Sequence, residues 1–222
     1  MTLYLSPDQR FLTSTLYDLE TDPDEEAAQV AASVRHLLMR DESAQTSSRD
    51  ARITLVEFGD LQCPCCKRFA EWYRALPPEV LSGTTLVFKH LPLPTHSWAV
   101  LAAEYSACAN QQSAGAFWEL ANYFLSHQDE ITPANINDKT VVALPHASTS
   151  EVQEISSCVT AGTGARLVAR DVAVAKELGV SSTPTIYVDG RRAPRLRSEE
   201  DLRELLEREL RGHQRRVPGS GN

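Results

Sequence analysis

The stretch that most restricts this chain runs from 53 to 69. There the run Ile53-Thr54-Leu55-Val56-Glu57-Phe58 stops at Gly59-Asp60-Leu61-Gln62 and is followed by Cys63-Pro64-Cys65-Cys66-Lys67-Arg68-Phe69. A short apolar run bounded by glycine reads as a strand. Proline suits the first helical position, where its missing N–H costs nothing, so Pro64 places Cys63 at the N-cap of a following helix. The C-x-x-C spacing sets Cys63 and Cys66 one turn apart, close enough to close a small disulfide ring. Unpaired N–H groups and the positive end of the helix dipole favour a thiolate at Cys63, the form that attacks disulfides. Cys66, one turn deeper, is the expected resolving thiol. Pro64 and Cys65, between them, are candidates for contact with a substrate.

The remaining pattern predicts helices and strands on both sides of this stretch. Residues 84–90 read as a second strand, at a distance that suits a β-α-β crossover to a parallel neighbour. Pro77-Pro78 ends the helix that begins at the cysteines. From 97 to 161 the pattern is helical. Trp98, Leu101, Tyr105 and Cys108 share one face, and Phe117, Leu120, Ala121, Phe124 and Leu125 another, with Pro133 and Pro145 as breaks. Ser150 with Gln153 reads as a capping box for the helix that carries Cys158. Residues 164–178 form a further helix closed by Gly179. Val180 to Val188 then reads as an apolar strand with Pro184 near its start, a position that interrupts pairing, and Asp189-Gly190 as a hairpin turn. Ser198-Glu199-Glu200-Asp201 opens a terminal helix, and 212–222 reads as a polar tail. Ahead of the cysteines, 3–12 reads as a short hairpin. An amphipathic helix follows to 39, with Val30, Val34, Leu37 and Leu38 on one face, and then a polar linker over 40–52.

The segment from Val56 to Phe69 resembles the active-site segment of DsbA-like thioredoxin-fold oxidoreductases, and Ser182-Thr183-Pro184-Thr185 resembles their cis-proline loop. With the order of elements between them, the similarity covers most of 50–210. One position departs from it, since Cys65 stands where such proteins often have Tyr, His or Phe. The resemblance implies an α/β thioredoxin fold, a central mixed sheet flanked by helices, with an inserted helical subdomain over the active site. It divides the chain into an N-terminal hairpin, helix and linker (1–49), a first half with the Cys63-Pro64-Cys65-Cys66 motif (50–96), the insertion (97–163), a second half with the proline loop (164–211) and a tail (212–222). It implies catalytic roles for Cys63, Cys66, a cis Pro184 and Glu57, the last as a buried proton relay to the resolving cysteine. The alternative for Glu57 is a rim residue paired with Lys89. The Thr183 backbone is implied as a hydrogen-bonding edge for an extended substrate peptide. Cys108 and Cys158 are implied as a second, structural disulfide, with two buried free thiols as the alternative. Protein substrates with cysteines or disulfides and a redox-recycling partner follow from the same resemblance, and no cofactor is called for.

Composition narrows the classes around that reading. The chain has 222 residues, 42% of them apolar, enough for one enlarged domain with a real core. A net charge of -8 argues against broad nucleic-acid binding. No apolar run approaches the roughly 18 residues that span a bilayer, and no repeat or phosphate-binding glycine loop is present. Residues 1–8 have neither the basic start nor the apolar core of a signal peptide. Two compartments therefore stay open: a periplasmic or otherwise extracytoplasmic one, for a mature exported chain, and the cytoplasm. Exchange could run as dithiol oxidation, reduction or isomerisation. Couples of this kind span roughly -270 to -120 mV, about 7 kcal/mol, and only the resemblance tilts the reading towards an oxidase. A dimeric isomerase joined through the N-terminal hairpin is one alternative. A soft-metal protein binding Cu or Zn through Cys63, Cys65 and Cys66 with His90 or His96 is another, weakened by the lack of a second cysteine pair.

Overall fold

The computed structural model describes residues 4–5, 12–13, 22–40, 43–46 and 48–216. Strands β1 (Tyr4–Leu5) and β2 (Leu12–Thr13) pair antiparallel. The turn expected between them lies outside the described residues. Helix α1 (Pro23–Leu38) starts where Asp22 accepts the N–H of Asp24, with Asp24, Glu25 and Glu26 in the first turn. Its buried side is narrower than the sequence periodicity predicts. Leu38 is buried and Val34 and Leu37 partly so, but Val30 is 58% exposed.

The polar stretch expected to be a linker contains a strand, β3 (Ala44–Gln45), which pairs antiparallel with β5 (Thr84–His90). Two residues are too few to show a period of 2, so this edge strand leaves no mark in the sequence. Strand β4 (Ile53–Gly59) runs parallel to β5 and antiparallel to β6 (Thr185–Val188), and β7 (Arg191–Arg192) completes the order β3-β5-β4-β6-β7. Helices α2 (Pro64–Ala75) and α3 (Pro78–Ser82) lie between β4 and β5 in the chain. With α9 (Glu199–Arg216) they bury Phe69, Tyr73, Val80, Leu202 and Leu206 against Ile53, Leu55, Leu86, Ile186 and Val188 of the sheet. The other side of the sheet, through Val56, Phe58, Val87 and Tyr187, receives Leu38 of α1 and Val174 and Ala175 of α8 (Thr163–Glu177). This two-layered cover is the thioredoxin fold.

The helical block inserted after β5 consists of α4 (Ala99–Gln112), α5 (Ala114–Ser126), α6 (Ile136–Ala143) and α7 (Thr149–Thr160). A 3-10 turn, Gln128–Glu130, follows α5. Its core holds Trp98, Tyr105, Cys108, Phe117, Leu120, Phe124 and Ile155, continuous with Leu61, Cys63 and Cys66. The capping box at α7 is Ser148 with Glu151, displaced from the Ser150 and Gln153 of the sequence reading. The motif occurs twice, two residues apart, and the ionised partner wins: Glu151 accepts both the N–H and the hydroxyl of Ser148, at 2.7 Å each. A disulfide joins Cys108 of α4 to Cys158 of α7 across 50 residues of chain. At the other end of the chain, α9 runs to Arg216, five residues past the boundary predicted at 211. Gly212 does not break it, because the residues around it are good helix formers.

Asp189 and Gly190 make the turn between β6 and β7, both at positive φ (46° and 83°), the geometry of a type I′ hairpin. Gly190 is also where α1 seats, since a Cβ there would run into the backbone carbonyl of Ala31. Gly190→Ala therefore combines backbone strain with displacement of α1 and is expected to cost about 2 kcal/mol, read as a lowered denaturant midpoint at unchanged slope. Opening the Cys108–Cys158 loop by Cys158→Ala is expected to cost about 4 kcal/mol on chain entropy alone. The same measurement on the oxidised protein checks it.

Candidate active site

Strand β4 delivers the chain to the site and α2 starts it. Cys63 is the N-cap of α2, with extended backbone (φ -75°, ψ 123°), and Pro64 is the first helical residue, exposed to solvent. No side chain caps this helix, so its first N–H groups are left for the Cys63 sulfur. Asp60 holds the approach. Its buried carboxylate accepts the N–H of Gln62 (2.8 Å), the N–H of Leu93 (2.8 Å) and Nδ1 of His96 (2.7 Å), while its own N–H donates to Cys66 Sγ (3.4 Å). Gln62 Oε1 accepts the N–H of Trp98 at 2.7 Å. From the insertion, Gln128 Nε2 donates to the carbonyls of Leu61 (3.0 Å) and Cys63 (3.1 Å). Asp60, Gln62 and Gln128 were not singled out in the sequence, and His96 was read there only as a metal ligand of the alternative soft-metal protein. Asp60 and Gln62 sit inside the motif and could have been asked for; His96 and Gln128 carry no local signal, since only the fold brings them to the turn.

The two sulfurs of the pair are unbonded and differ sharply. Cys63 is held low, at about 5. The Cys66 thiol donating to its sulfur is the largest cause; burial opposes it, and the N–H groups of Cys66 and Cys65 add to the fall. Cys66, 0% exposed, is pushed well up, first by burial and then by its bond to Cys63 and the charges of Glu57 and Cys63. Glu57 is 4% exposed and burial raises it to about 8, against a smaller lowering by its hydrogen bond with Cys66.

Glu57 is not paired with Lys89. In the parallel register Glu57 stands beside Phe88 and Phe58 beside Lys89, so the two charges leave opposite faces of the sheet. Lys89, 0% exposed, donates instead to Asp171 Oδ1 (2.9 Å) and Ser43 Oγ (2.8 Å). Glu57 borders a cavity of about 260 Å³ between α2 and α5, with Tyr73, Trp118 and Leu125 among its walls and Thr46, Arg74 and Asn122 around it. The Trp118 Nε1 there is buried without a partner among the described residues.

Across from the helix start, the Thr183–Pro184 peptide bond is cis. It sets the Thr183 carbonyl 3.7 Å from Cys63 Sγ, and the Thr183 hydroxyl is buried with no partner among the described residues. Thus Cys63, Cys66, Glu57, Thr183 and Pro184 meet in one place. Cys65 points elsewhere: it is partly exposed, and Arg68 Nη2 lies 3.2 Å from its sulfur. Cys108 and Cys158 are in the insertion, bonded to each other. The histidines proposed for a metal do not join the cysteines. His90 is packed edge-on against Phe88 and Phe117, and burial lowers it to about 4, while His96 is taken by Asp60. Among the described residues no group of three or more His, Cys, Asp or Glu could hold a metal ion.

A family model described as Thioredoxin matches residues 43–208. The chain belongs to the thioredoxin family. Within it, this thioredoxin-family chain is 35% identical over 145 residues to the Na(+)/H(+) antiporter NhaA 3 of Salinispora tropica, a match covering 65% of the chain and 21% of the antiporter. The chain thus spans about a fifth of that relative's length. No helix among the described residues is long and apolar enough to cross a membrane. Disulfide bond formation protein D of Bacillus subtilis is 24% identical over 172 residues, 73% of this chain and 75% of that protein. The thiol-disulfide exchange protein alpha-DsbA2 of Wolbachia pipientis superposes with a TM-score of 0.68 at 14% identity, over 83% of this chain and 96% of that one. Its likeness is one of fold: a thioredoxin domain with the inserted helices, the DsbA type.

The shifted groups make the reduced thioredoxin-family chain pH-sensitive in two opposed ways. Cys63 lies at about 5 folded against 9.0 unperturbed, so its contribution to stability is present above 9 and lost as pH falls through 5. Glu57 lies at about 8 against 4.5, so its contribution is present below 4.5 and lost as pH rises through 8. Glu57→Gln removes the second arm alone. Its denaturant midpoint, measured on the reduced protein, is expected to gain on wild type steadily between about pH 5 and pH 8.

Proposed function

We propose that this chain is a thiol–disulfide oxidoreductase that donates its Cys63–Cys66 disulfide to protein dithiols. The observation that carries the reading is the split between the two sulfurs, Cys63 held at about 5 and Cys66 pushed well above its ordinary value. A thiolate stabilised at Cys63 stabilises the reduced protein, which makes the disulfide form an oxidant. Its position lies between the values of about 7 for thioredoxin, a reductant, and about 3.5 for DsbA, a strong oxidant.

In the forward direction a substrate thiolate attacks Cys63 Sγ. The Cys63–Cys66 bond breaks, and Cys66 leaves with the bonding electrons and takes a proton. Glu57, which titrates near 8 and is hydrogen-bonded to Cys66, is placed to supply that proton, and the cavity behind it leads towards Arg74 and Asn122 at the surface. A second substrate thiolate then attacks the substrate sulfur of the mixed disulfide, and Cys63 departs as a thiolate. The substrate has lost two electrons and the protein has gained them, so a recycling partner must remove them. The Thr183 edge, beside the Cys63 sulfur, suits an extended peptide lying along it, with Pro64 and the partly exposed Cys65 in contact with its flanks. An oxidising, extracytoplasmic compartment fits this direction and is the setting in which a Cys108–Cys158 bond persists.

The test uses a reduced, unfolded protein as dithiol and insulin as disulfide. Wild type is expected to act on both, Cys63→Ser on neither, and Cys66→Ala to accumulate as a mixed disulfide. Equilibration against glutathione fixes the direction: a potential above about -200 mV supports an oxidase, and one near thioredoxin's, about -270 mV, overturns it.

A further inference from the structure

One side chain of the helical insertion bonds two backbone oxygens of the thiol turn. Gln128 lies in the 3-10 turn after α5, and its Nε2 reaches two carbonyls, Leu61 O at 3.0 Å and Cys63 O at 3.1 Å. Those oxygens flank the sulfur-bearing residue. The Cys63 carbonyl also accepts the first helical bond of α2, from the N–H of Lys67 at 3.1 Å. The turn that carries Gln128 is itself fastened. Asn135 Oδ1 accepts the N–H of Thr132 and Nδ2 donates to the carbonyl of Glu130. Lys139 pairs with Glu130 at 2.7 Å, and His127 stacks on Tyr123 with ring centroids 4.1 Å apart. A long, flexible amide is thus delivered by a rigid base to two backbone acceptors, leaving little freedom at either end.

We infer that Gln128 is a positioning residue for the nucleophile. By donating to both carbonyls it fixes the bend at Leu61–Cys63, so that the N–H groups of Cys65 and Cys66 stay on the Cys63 sulfur, and it offsets the partial negative charge of those carbonyl oxygens beside a thiolate. The inference rests on the thiol-exchange reading and deepens it: the insertion tunes the nucleophile as well as covering it. Without the amide the Leu61 carbonyl loses that donor and the Cys63 carbonyl keeps only the N–H of Lys67, so their negative ends are less opposed and the thiolate is disfavoured. A carboxylate in the same place adds a negative charge and disfavours it further.

The experiment follows the ultraviolet absorbance of the thiolate through a pH titration of the reduced protein, for wild type, Gln128→Met, Gln128→Glu and Gln128→Lys. Methionine keeps the length and loses the donor; lysine keeps a donor. The expected order of Cys63 titration is glutamate highest, methionine next, and wild type and lysine lowest. The glutamate variant should hold its proton about tenfold more tightly than wild type, one pKa unit, and its oxidised form should be correspondingly less oxidising against glutathione. Thermal midpoints report packing separately. Variants that fold and titrate with wild type, whatever their midpoints, would reduce Gln128 to a packing contact and overturn the inference. Should Gln128→Glu not fold, Gln128→Met against Gln128→Lys carries the comparison. A wild-type protein that exchanges no disulfide removes the reading beneath it instead, so the two failures are told apart.

Discussion

Two sulfurs one helical turn apart sit in opposite electrostatic surroundings, and that contrast depends on how α2 begins. An extended N-cap with no capping side chain leaves the first amides of the helix for Cys63, while the next turn carries Cys66 into the apolar interior beside Glu57. Burial raises both Cys66 and Glu57; the Glu57 charge pushes Cys66 further up, while the hydrogen bond with Cys66 offsets part of the rise at Glu57. The sheet supplies the carboxyl, the helix supplies both sulfurs, and the proline loop supplies the facing edge.

The insertion completes this arrangement rather than merely sitting above it. Trp98, Phe117 and Phe124 belong to the same apolar cluster as Leu61, Cys63 and Cys66, so water is kept from the second sulfur by residues far along the chain. Polar contacts reach the turn from the same side: Gln128 to the carbonyls of Leu61 and Cys63, and the Trp98 N–H to Gln62. The Cys108–Cys158 bond ties α4 to α7 within this block.

Much of this was legible because its causes are local. Pro64 after Cys63, the glycine that ends β4 and the Asp189-Gly190 turn each act through their own backbone, so the sequence states them outright. β5 was readable because seven residues, Thr84–His90, suffice to show a pattern. What escaped depends on partners distant in sequence. β3 is two residues long and is a strand only because β5 lies next to it. The partner of Lys89 cannot be found from the period-2 count of β4 alone, since the parallel register decides which face it shares, and the carboxyl that meets it, Asp171, is on α8. Gln128 is an ordinary polar residue after a helix until folding lays it against the turn. Even Glu57, whose place among aliphatics was visible, could not be assigned a neighbour before the register was known.

The Lys89–Asp171 pair has one more consequence. It lies under β5 and α8 almost wholly out of water, with Asp171 Oδ2 also accepting the N–H of His90 at 2.9 Å. Removing either partner strands a charge in a low-dielectric interior, a loss of roughly 3–5 kcal/mol, whereas two well-packed apolar residues in their place can be tolerated. Positions 89 and 171 are therefore coupled under drift. A lineage can cross from the ionic arrangement to a greasy one only by a paired change, or through an intermediate whose stability is nearly spent.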